Sequence, residues 1–558
     1  MKKKIFLLII AVIICYSQIV NSPFLWDDEE MVVANPIIKN SKYLPYIFTT
    51  SAFGNKLNEG KFFRPIQIFT YFIDYQIWGL NPTGFHITNI IIHILNALLV
   101  FWLLYILGFT QILAYLGAFI FAIHPSAIEA ATYISGRGDA LCVFFALLSI
   151  IFFKLSKNKK LFYPFLSVLF YLLSIFTKEN IVALPLIILS YLLIENFFPY
   201  KKENIKAKKT KLILSITLLC IMLGYIAFRL LGNTELGAGT LSCIAQASSW
   251  QQIITIPQIL LTYLRIFIFP INLHMEYHFV TKSITSPYVW LGIPFLVASF
   301  FMIIKSLKYS KKAIFFSLWF LISLAPVYNW PIALPSTIRE HWLYFPQIGL
   351  IALLLLLFTK IEQKTTYSRF SKIILGFFIL FLVTSTIIRN NDWTQAIKLY
   401  KHDVKYEPKS FLLYNNLGVE YFRKKQFKLA KQAFSKSIET SPSLGYGTAY
   451  NNLGAILEKE GNLDQAIIYF QKSISSSNYY LAYVNLSRIL IQTKNSAYAI
   501  PIIQKGLTHY PLNADLQYYL TVSYYLTGQI EKAKDSFQNL DKSHPNYKKL
   551  IFINTLKF

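Results

Sequence analysis

The stretch GFHITNIIIHILNALLVF, Gly84 to Phe101, decides the fold class of this chain because it is a long apolar run with an embedded polar pattern. Runs of about 20 such residues cross a lipid bilayer as α-helices. His86, Asn89, His93 and Asn96 follow at spacings of three, four and three residues, so they share one face of the predicted helix. This stripe indicates either a wet groove that enters from the outer surface or side chains that hydrogen-bond neighbouring helices.

Similar apolar runs fill the first two thirds of the chain. With 558 residues, 55% apolar and 17% aromatic, the chain is too long and too apolar for one ordinary soluble domain. The first segment, MKKKIFLLIIAVIICYSQIV, lacks an A-x-A-like cleavage site and is interpreted as a retained transmembrane helix. Eleven further runs bring the candidates to twelve: 87–107, 110–123, 139–153, 161–176, 181–199, 212–230, 253–270, 287–304, 313–328, 343–359 and 372–388.

Lys and Arg lie mostly in short clusters between these runs. The formal charge of +27 therefore indicates positive-inside anchoring and excludes a nucleic-acid-binding interpretation. All the clusters fall on the cytoplasmic side only if one run fails to cross, and the best candidate is 253–270, which contains Pro257 and Arg265. Eleven spans result, with basic clusters at 2–4, 154–160, 201–211, 305–312 and 360–372.

The acidic residues point to a site on the opposite, non-cytoplasmic face. Residues 1 to 385 contain fifteen Asp and Glu, and four are consecutive: Asp27, Asp28, Glu29 and Glu30 in PFLWDDEEMVVANP. Such a cluster at a helix exit is either a solvated turn or a site. Its neighbours at the same predicted level favour a site in which cations hold an anionic lipid headgroup and a carboxylate acts on a second substrate: Arg64, His86, His124, Glu129, Arg137, Asp139, Lys178, Glu179, Arg339, Glu340 and His341.

Two weaker patterns each have an ordinary alternative. In HMEYH, the alternation of His274, Glu276 and His278 fits a metal site on a strand, but such residues in an outer loop are more often just polar. In SGRGD, Arg137 and Asp139 either contact substrate or form a salt bridge at a helix start. The four cysteines form neither a disulfide framework nor a CxxC metal motif.

A repeat begins after about residue 390, where long apolar runs stop and acidic residues become frequent. Ala430, Ala466, Ala499 and Ala533 recur at intervals of 36, 33 and 34 residues, each followed four residues later by Phe or Ile. Tyr414, Tyr450 and Tyr483 precede the first three by sixteen residues. This pattern resembles the tetratricopeptide repeat, whose stacked helix pairs form a concave binding surface, and Ala396, Tyr400 and Pro408 fit an incomplete leading unit.

Nearly the whole chain resembles the multispanning glycosyltransferases of the GT-C fold, and more narrowly the tetratricopeptide-containing transmembrane O-mannosyltransferases. The matching strings are FLWDDEEMVVANP, FFRPIQIFTYFIDYQIWGLNPTGFHITNIIIHILNALL, FAIHPSAIEAATYISGRGDAL, TKENIVALPLIILSYLL and REHWLYFPQIGL, followed by the repeats. The resemblance implies an all-α fold, with a GT-C-like membrane domain at 1–389 and a tetratricopeptide α-solenoid at 390–558.

The resemblance also implies roles for individual residues. Asp27 and Asp28 take the place of the acidic pair that acts as general base, with Asp27 the better candidate, although the relatives carry Asp-Glu there. Arg64, Arg137, Lys178 and Arg339 are then candidates for binding the donor phosphate. A further set of residues is then expected to position the sugar or the acceptor: His86, His124, Glu129, Asp139, Glu179 and His341.

The expected activity is transfer of a sugar, mannose by family resemblance, from a polyprenyl-phosphate donor to a hydroxyl of a Ser or Thr in a protein held by the repeats. Arg and Lys can neutralise the leaving phosphate, so neither a cofactor nor a metal is required. The site and the repeats are expected on the non-cytoplasmic side of the membrane, the bacterial inner membrane if the source is bacterial. The alternatives are a non-catalytic membrane scaffold for envelope assembly and a transporter, for which the internal symmetry is missing.

Overall fold

The computed structural model describes most of the chain, and within the described residues the fold is helical, with one isolated antiparallel bridge between Tyr277 and Ile338 and no strand. The all-α prediction is therefore confirmed for that part of the chain. Parts of the predicted basic clusters, at 157–160, 201–204 and 308–309, lie outside the described residues. The described ranges are 2–52, 62–156, 161–197, 205–231, 242–307, 310–363, 365–442, 446–542 and 544–555.

The chain packs into two compact units, each built from two pieces of sequence. The first comprises Met1–Ala34 and Phe63–Glu407, and the second Asn35–Phe62 and Pro408–Phe558. The helices before the repeats, all in the first unit except α2, are α1 Lys2–Tyr16, α2 Pro36–Lys39, α3 Pro65–Trp78, α4 Pro82–Ile106, α5 Gln111–Ile123, α6 Ile128–Thr132, α7 Arg137–Leu155, α8 Phe162–Ile175, α9 Leu184–Phe197, α10 Ile205–Leu231, α11 Ser249–Ile268, α12 Pro287–Leu307, α13 Lys311–Leu324, α14 Gln347–Glu362, α15 Thr365–Trp393 and α16 Ala396–Tyr406.

Five helices among the described residues are long and apolar enough to cross a membrane: α4, α7, α10, α11 and the Arg369–Trp393 part of α15. A sixth results if α5 and the following Pro125–Thr132, bent by 58°, are one span. These helices fit a multi-pass membrane protein, whereas the count of eleven stays a prediction. The run 253–270, left out of that count, lies in α11, whose 20 residues are sufficient for a span by length and composition.

The polar stripe of α4 connects this helix to its neighbours. His93 contacts the Tyr344 hydroxyl through Nδ1 at 2.7 Å and the Ala122 carbonyl through Nε2 at 2.9 Å. Asn96 donates to the Ala140 carbonyl at 2.7 Å, and all four stripe residues are buried. In lipid, polar groups are retained where other protein groups pair with them. The structure therefore favours interhelical hydrogen bonds over a wet groove.

In the described part of the second unit, four helix pairs follow one another: α17 Phe411–Arg423 with α18 Phe427–Thr440, α19 Gly447–Lys459 with α20 Leu463–Ser477, α21 Tyr480–Gln492 with α22 Ser496–His509, and α23 Ala514–Leu526 with α24 Ile530–Gln538. The periodic Ala and Phe residues lie in the core of these pairs; Ala430 and Phe434 are 0% and 1% exposed. Close approach explains the glycine of YNNLG, because a Cβ on Gly418 would come within 2.5 Å of the Phe434 ring. The repeat prediction is confirmed at this level.

The segment that follows the acidic cluster Asp27–Glu30 contributes to the second unit. Its residues Ile37 and Ile38, in α2, are 1% and 0% exposed. The Tyr43 hydroxyl donates to Asp541 Oδ2 at 2.9 Å, and Lys39 lies close enough to Asp515 for electrostatic attraction. Residues 35–52 therefore pack with the C-terminal end of the repeats, nearly 500 positions away in sequence.

Candidate functional site

The four acids after α1 lie on a tight turn. Trp26 has a positive φ of 49°, and the Asp28 amide donates to the Leu25 carbonyl, which closes the turn. Glu29–Val33 then forms one turn of π-helix, a wide helical form that is frequent at functional sites. The turn places Asp27 and Asp28 in different surroundings.

Asp28 holds the turn in place. Its side chain is 1% exposed, and its Oδ2 accepts the Leu25 amide at 2.9 Å. Its Oδ1 accepts both the amide and the hydroxyl of Ser135, the amide at 2.8 Å. Burial raises the pKa of Asp28 to about 7, against the lowering effect of these hydrogen bonds. Asp28 therefore joins the acidic turn to the SGRGD loop.

Asp27 is partly exposed, unlike Asp28. Its amide donates to the Tyr133 hydroxyl at 2.9 Å. Burial raises the pKa of Asp27, while attraction to Arg339 and Arg64 and the Tyr133 hydrogen bond oppose the rise. Among the described residues, no cation forms an ion pair with Asp27 within 4.0 Å. The carboxylate is thus positioned but not neutralised.

Arg339 is the first of the cations that Asp27 attracts. Its Nη2 donates to Glu276 Oε1 at 2.8 Å, and its guanidinium lies 5.3 Å from the centre of the Trp26 ring. Glu276 is 0% exposed, so the pair is held at a fixed place. In the described part of the chain, the bond to Glu276 is the one hydrogen bond that the Arg339 side chain donates. The remaining N–H groups of this fork are available to an anion.

Two further ion pairs come from the FFRP and TKEN segments. Arg64 forms a two-pronged pair with Glu179, with its Nη2 2.8 Å from Oε1 and its Nε 3.3 Å from Oε2. Burial would raise the pKa of Glu179, but Arg64 lowers it to about 2. Lys178 donates to Asp139 Oδ2 at 2.6 Å. Two adjacent residues of TKEN therefore fix two different partners of the site.

The REHW segment supplies a histidine between two acids. His341 Nδ1 lies 2.8 Å from Glu129 Oε1, although outside hydrogen-bond geometry, and its Nε2 lies 3.7 Å from Asp139 Oδ2. Its amide donates to Glu129 Oε2 at 3.1 Å. Burial lowers the pKa of His341 far below its usual value. A neutral His341 can accept or donate a hydrogen bond to a substrate.

These pairs form one cluster, which we call the Asp27 site. Arg64 attracts Asp139 and Asp27 as well as Glu179, and Arg339 attracts Glu129 and Asp27 as well as Glu276. The site is defined by nine residues from six separate segments: Asp27, Arg64, Glu129, Asp139, Lys178, Glu179, Glu276, Arg339 and His341. Eight of them are predicted from sequence, and all nine belong to the first unit.

Arg137 has a different place from the other predicted cations. Its side chain is 0% exposed, and Nη2 donates to Asp74 Oδ2 at 2.5 Å. Nε donates to Asn89 Oδ1 at 2.7 Å, and the guanidinium stacks over Tyr71 at 4.7 Å. Arg137 does not pair with Asp139, which is held by Lys178, so the salt bridge, one of the two alternatives for SGRGD, is not formed. These contacts indicate that Arg137 fastens α3, α4 and α7 together.

His86 and His124 also connect helices. His86 Nε2 contacts the Ser22 carbonyl at 3.1 Å, and His124 Nε2 contacts the Phe267 carbonyl at 3.0 Å. Both rings are buried, and His124 stacks on Phe267. Their contacts are with protein groups outside the Asp27 site.

Sequence reasoning missed two groups that shape the site. Tyr133 has no charge, and although it lies within the matching string FAIHPSAIEAATYISGRGDAL, no pattern marks it as the partner of Asp27. Glu276 stands out in HMEYH, but as a metal ligand and not as the partner of Arg339. Its Oε2 lies 3.2 Å from His278 Nε2, whereas His274 stacks on Tyr277. Among the described residues, no three His, Cys, Asp or Glu are arranged to hold a metal ion.

Family comparisons match repeats in the second unit and show that most of the chain is similar to named proteins. Tetratricopeptide repeat models match residues 412–444, 447–479 and 515–547. The Protein O-mannosyl-transferase F38B6.6 of Caenorhabditis elegans is 27% identical over 457 residues, 79% of this chain and 63% of that protein. The Protein O-mannosyl-transferase TMTC3 of Mus musculus is 21% identical over 88% of this chain and 58% of that protein.

A third relative and a solved structure complete the comparisons. The Protein O-mannosyl-transferase TMTC1 of Homo sapiens is 34% identical over 143 residues, 24% of this chain and 16% of that protein. The crystal structure of YrrB, a TPR protein with an unusual peptide-binding site, is 20% identical and covers 36% of this chain and 98% of its own, with a TM-score of 0.24. This chain spans 58 to 63% of the length of the two relatives that match most of it.

Proposed function

From its homology to the tetratricopeptide-containing O-mannosyltransferase-like proteins, we propose that this chain is an integral-membrane glycosyltransferase. It moves a sugar, mannose, from a polyprenyl-phosphate donor to the hydroxyl of a Ser or Thr in a protein that the repeats hold. One observation supports the assignment most strongly: Asp27 presents a partly exposed carboxylate with a raised pKa beside two arginines. A general base with a pKa nearer neutrality is better matched to proton transfer.

The proposed step is a direct displacement. The acceptor oxygen attacks the anomeric carbon of the sugar, and its proton passes to the Asp27 carboxylate. The bond between that carbon and the phosphate oxygen breaks, and polyprenyl phosphate leaves with the electron pair. The Tyr133 hydroxyl holds Asp27 in one orientation during the transfer. Asp28 is too enclosed for the proton transfer and positions the turn.

Arg339 and Arg64 are the proposed phosphate ligands. Their acidic partners, Glu276 and Glu179, occupy part of each fork with carboxylate oxygens, which resemble phosphate oxygens as acceptors. Placing cations where negative charge develops stabilises the departing phosphate. Lys178 is a third candidate, although its ammonium group is also paired with Asp139. Arg137 is left out because its guanidinium is committed to Asp74 and Asn89.

The remaining acids and the histidine are proposed to position sugar or acceptor. Glu129 and His341 lie against each other with imperfect alignment, so each retains hydrogen-bonding capacity for hydroxyl groups. Asp139 and Glu179 act chiefly by orienting Lys178 and Arg64. His86 and His124 are proposed to support the helices around the site and not to contact substrate. No cofactor is proposed.

The predicted topology of eleven spans puts the site and the repeats on the non-cytoplasmic side of the membrane. Lipid-linked donors carry the sugar at the membrane surface, which agrees with acids at the exit of α1. In a bacterium this compartment lies outside the inner membrane. The first unit would then catalyse sugar transfer as well as anchor the protein in the membrane.

Transfer of radiolabelled mannose tests the function. The full chain in lipid is incubated with polyprenyl-phosphate mannose and a pool of Ser/Thr-rich peptides. Asp27→Asn is expected to lower transfer by about 100-fold or more, the range of a lost general base. Asp464→Asn, the same change at an exposed position of the second unit, serves as matched control and is expected to retain activity.

Thermal stability separates a chemical role from misfolding. Loss of transfer in Asp27→Asn with an unchanged melting temperature supports the enzyme. Equal transfer by Asp27→Asn and wild type would remove Asp27 from the mechanism. No transfer with any lipid-linked sugar, together with retained peptide binding, would instead favour the non-catalytic scaffold.

A further inference from the structure

The loop that carries Glu276 is joined on one side to the segment that carries Arg339. The Thr337 amide donates to the Tyr277 carbonyl at 3.1 Å, and Tyr277 also forms the isolated antiparallel bridge with Ile338. Tyr277 directly follows Glu276, and Ile338 directly precedes Arg339. The backbones at the two ends of the Glu276–Arg339 ion pair are therefore hydrogen-bonded to each other.

The other side of this loop is held by two acids at the end of α16. Asp403 Oδ2 accepts the Met275 amide at 2.8 Å, and Glu407 Oε2 accepts the His278 amide at 2.8 Å. Asp403 lies in α16, and Glu407 directly follows its last residue. The two amides flank Glu276, one residue before it and two residues after it. We call Asp403 and Glu407 the α16 acids.

Asp403 is itself held in place by a second partner. Its side chain is 0% exposed, its Oδ1 accepts Arg389 Nη1 at 2.8 Å, and its Oδ2 accepts Arg389 Nη2 at 3.2 Å. A two-pronged pair of this kind orients both carboxylate oxygens. Asp403 Oδ2 thus receives bonds from Arg389 and from the Met275 amide together. Through Asp403, the loop is fastened to the end of α15.

Packing alone does not explain these acids. The sequence pattern places α16 in an incomplete leading repeat, whereas its contacts place it in the first unit, together with the Asp27 site. A buried ion pair is often no more stable than apolar residues of the same volume, so a helix that only packs does not require the Asp403–Arg389 pair. The bond to the Met275 amide, which an apolar side chain cannot make, gives Asp403 a second role.

The position of Glu276 decides the position of the Arg339 guanidinium. Glu276 Oε1 accepts Arg339 Nη2 at 2.8 Å, and Glu276 Oε2 lies 3.2 Å from His278 Nε2. Both carboxylate oxygens are thus engaged, and a shift of the loop would move Arg339 with it. Misplacement of a substrate-binding group by about 1 Å can cost about 100-fold in rate.

We propose that the α16 acids are positioning residues of the transferase site, which fix Glu276 and through it the Arg339 fork that receives the donor phosphate. This inference rests on the proposed function in taking Arg339 as a phosphate ligand. The α16 acids act as hydrogen-bond acceptors for two backbone amides, so an uncharged oxygen can replace the carboxylate of Glu407. Binding of the peptide acceptor does not involve this loop and is expected to be independent of it.

Glu407 is the position to change, because it is partly exposed and does not belong to the buried pair with Arg389. Glu407→Ala removes the acceptor of the His278 amide, whereas Glu407→Gln retains an oxygen at nearly the same place. Glu439→Ala, the same change at an exposed glutamate of α18, is the matched control. All variants are full chains in lipid nanodiscs, and their melting temperatures are compared with that of wild type.

The first measurement is backbone hydrogen exchange of residues 273–279 by mass spectrometry, which requires no substrate. Glu407→Ala is expected to exchange about fivefold faster or more in this segment, because a lost hydrogen bond makes local opening easier. The second measurement is the affinity for radiolabelled polyprenyl phosphate, the leaving group of the proposed reaction. Glu407→Ala is expected to weaken it by about fivefold or more, with the affinity for a Ser/Thr-rich peptide unchanged. Glu407→Gln and Glu439→Ala are expected to match wild type in both measurements.

Equal exchange, or equal lipid-phosphate affinity, in Glu407→Ala and wild type would overturn the inference. Parallel losses of lipid-phosphate and peptide affinity would show a general structural effect and would also overturn it, as would an equal loss in Glu407→Gln. Failure of wild type to bind polyprenyl phosphate would instead remove the proposed function, and with it the phosphate role of the α16 acids. Unchanged exchange in Glu407→Ala while wild type binds and transfers would remove this inference alone.

Discussion

Asp27 and Asp28 are neighbours in sequence, yet Asp28 is enclosed and accepts three hydrogen bonds while Asp27 is partly exposed and bonds to Tyr133. The difference comes from the tight turn at Trp26, which directs one carboxylate into the protein and the other toward the arginines. The two acids can therefore have different roles: Asp28 fixes the backbone, and Asp27 performs the chemistry. Each half of this division has its own measurable consequence.

Removal of the Asp28 carboxylate should destabilise the protein. In Asp28→Ala the Leu25 and Ser135 amides lose their acceptor in a buried place, which costs about 1–3 kcal/mol for each donor left unpaired. A clear fall in melting temperature is expected, accompanied by loss of transfer because the turn shifts. Asp27→Ala is the comparison, and an equal loss of stability in both variants would contradict the division of roles.

The stability contributed by Asp28 should depend on pH. Its pKa is about 7 in the folded protein and near 3.8 in the unfolded chain, so between these values the folded state keeps a proton that the unfolded state releases. Its contribution to stability is fully present below about pH 4 and declines as pH rises toward 7. Asp28→Asn cannot titrate, so the difference in melting temperature between wild type and this variant should change in favour of the variant over that range. A constant difference would show that Asp28 titrates normally.

Replacement of Tyr133 by Phe should move the acid limb of the pH–rate profile. The Tyr133 hydroxyl stabilises the charged form of Asp27 and so lowers the pKa of that carboxyl. Without it the pKa of Asp27 rises further, and the fall in kcat/KM on acidification begins at a higher pH. The profile is measured from about pH 4.5 to 8, with the exposed Tyr105→Phe as control. A uniform loss of rate at every pH would assign Tyr133 a purely structural role.

Transfer activity should depend on the shape as well as the charge of the Arg339 side chain. Arg339→Lys retains the charge but loses the planar fork that can hold Glu276 and a phosphate together. We expect a higher KM for the lipid donor and about tenfold or greater loss of kcat/KM, with the KM for the peptide unchanged. Arg265→Lys, a change at an exposed arginine of α11, should have neither effect. Full activity of Arg339→Lys would leave Arg64 as the main phosphate ligand.

Arg137 should act through stability and not through the donor. Arg137→Met leaves Asp74 as an unpaired buried acid, which typically costs about 3–5 kcal/mol. The double variant Arg137→Met with Asp74→Leu removes both charges and should regain much of the melting temperature. Recovery of stability without transfer would return Arg137 to the list of phosphate ligands, whereas recovery of both confirms a structural role.

The helical fold and the repeats could be predicted because they depend on periodic patterns. Ala430 and Phe434 recur at fixed spacing, and Gly418 is required by the close approach of the Phe434 ring. Arg339 and Lys178 could be found because a charge beside an apolar run is costly and therefore conspicuous. For Arg137, spacing along the chain suggested Asp139 as one possible partner, whereas the three-dimensional packing brings in Asp74.

Other parts of the site carry no signal in a single sequence. Tyr133 is one of 37 tyrosines, and its contact with Asp27 spans 106 residues. The difference between Asp27 and Asp28 depends on the sign of one backbone angle at Trp26. Such features follow from how distant segments meet, which periodicity does not describe.

Because each unit is built from two separate pieces of sequence, the order of synthesis affects folding. Asn35–Phe62 leaves the ribosome long before Pro408, where the rest of its unit begins. At about 5–20 residues per second, this segment waits on the order of 20–70 seconds for the rest of its unit. A chain stopped before Asp541 would lack the acceptor of the Tyr43 hydrogen bond. The segment that directly follows the acidic turn thus gains this contact only after Asp541, 498 residues after Tyr43, has been synthesised.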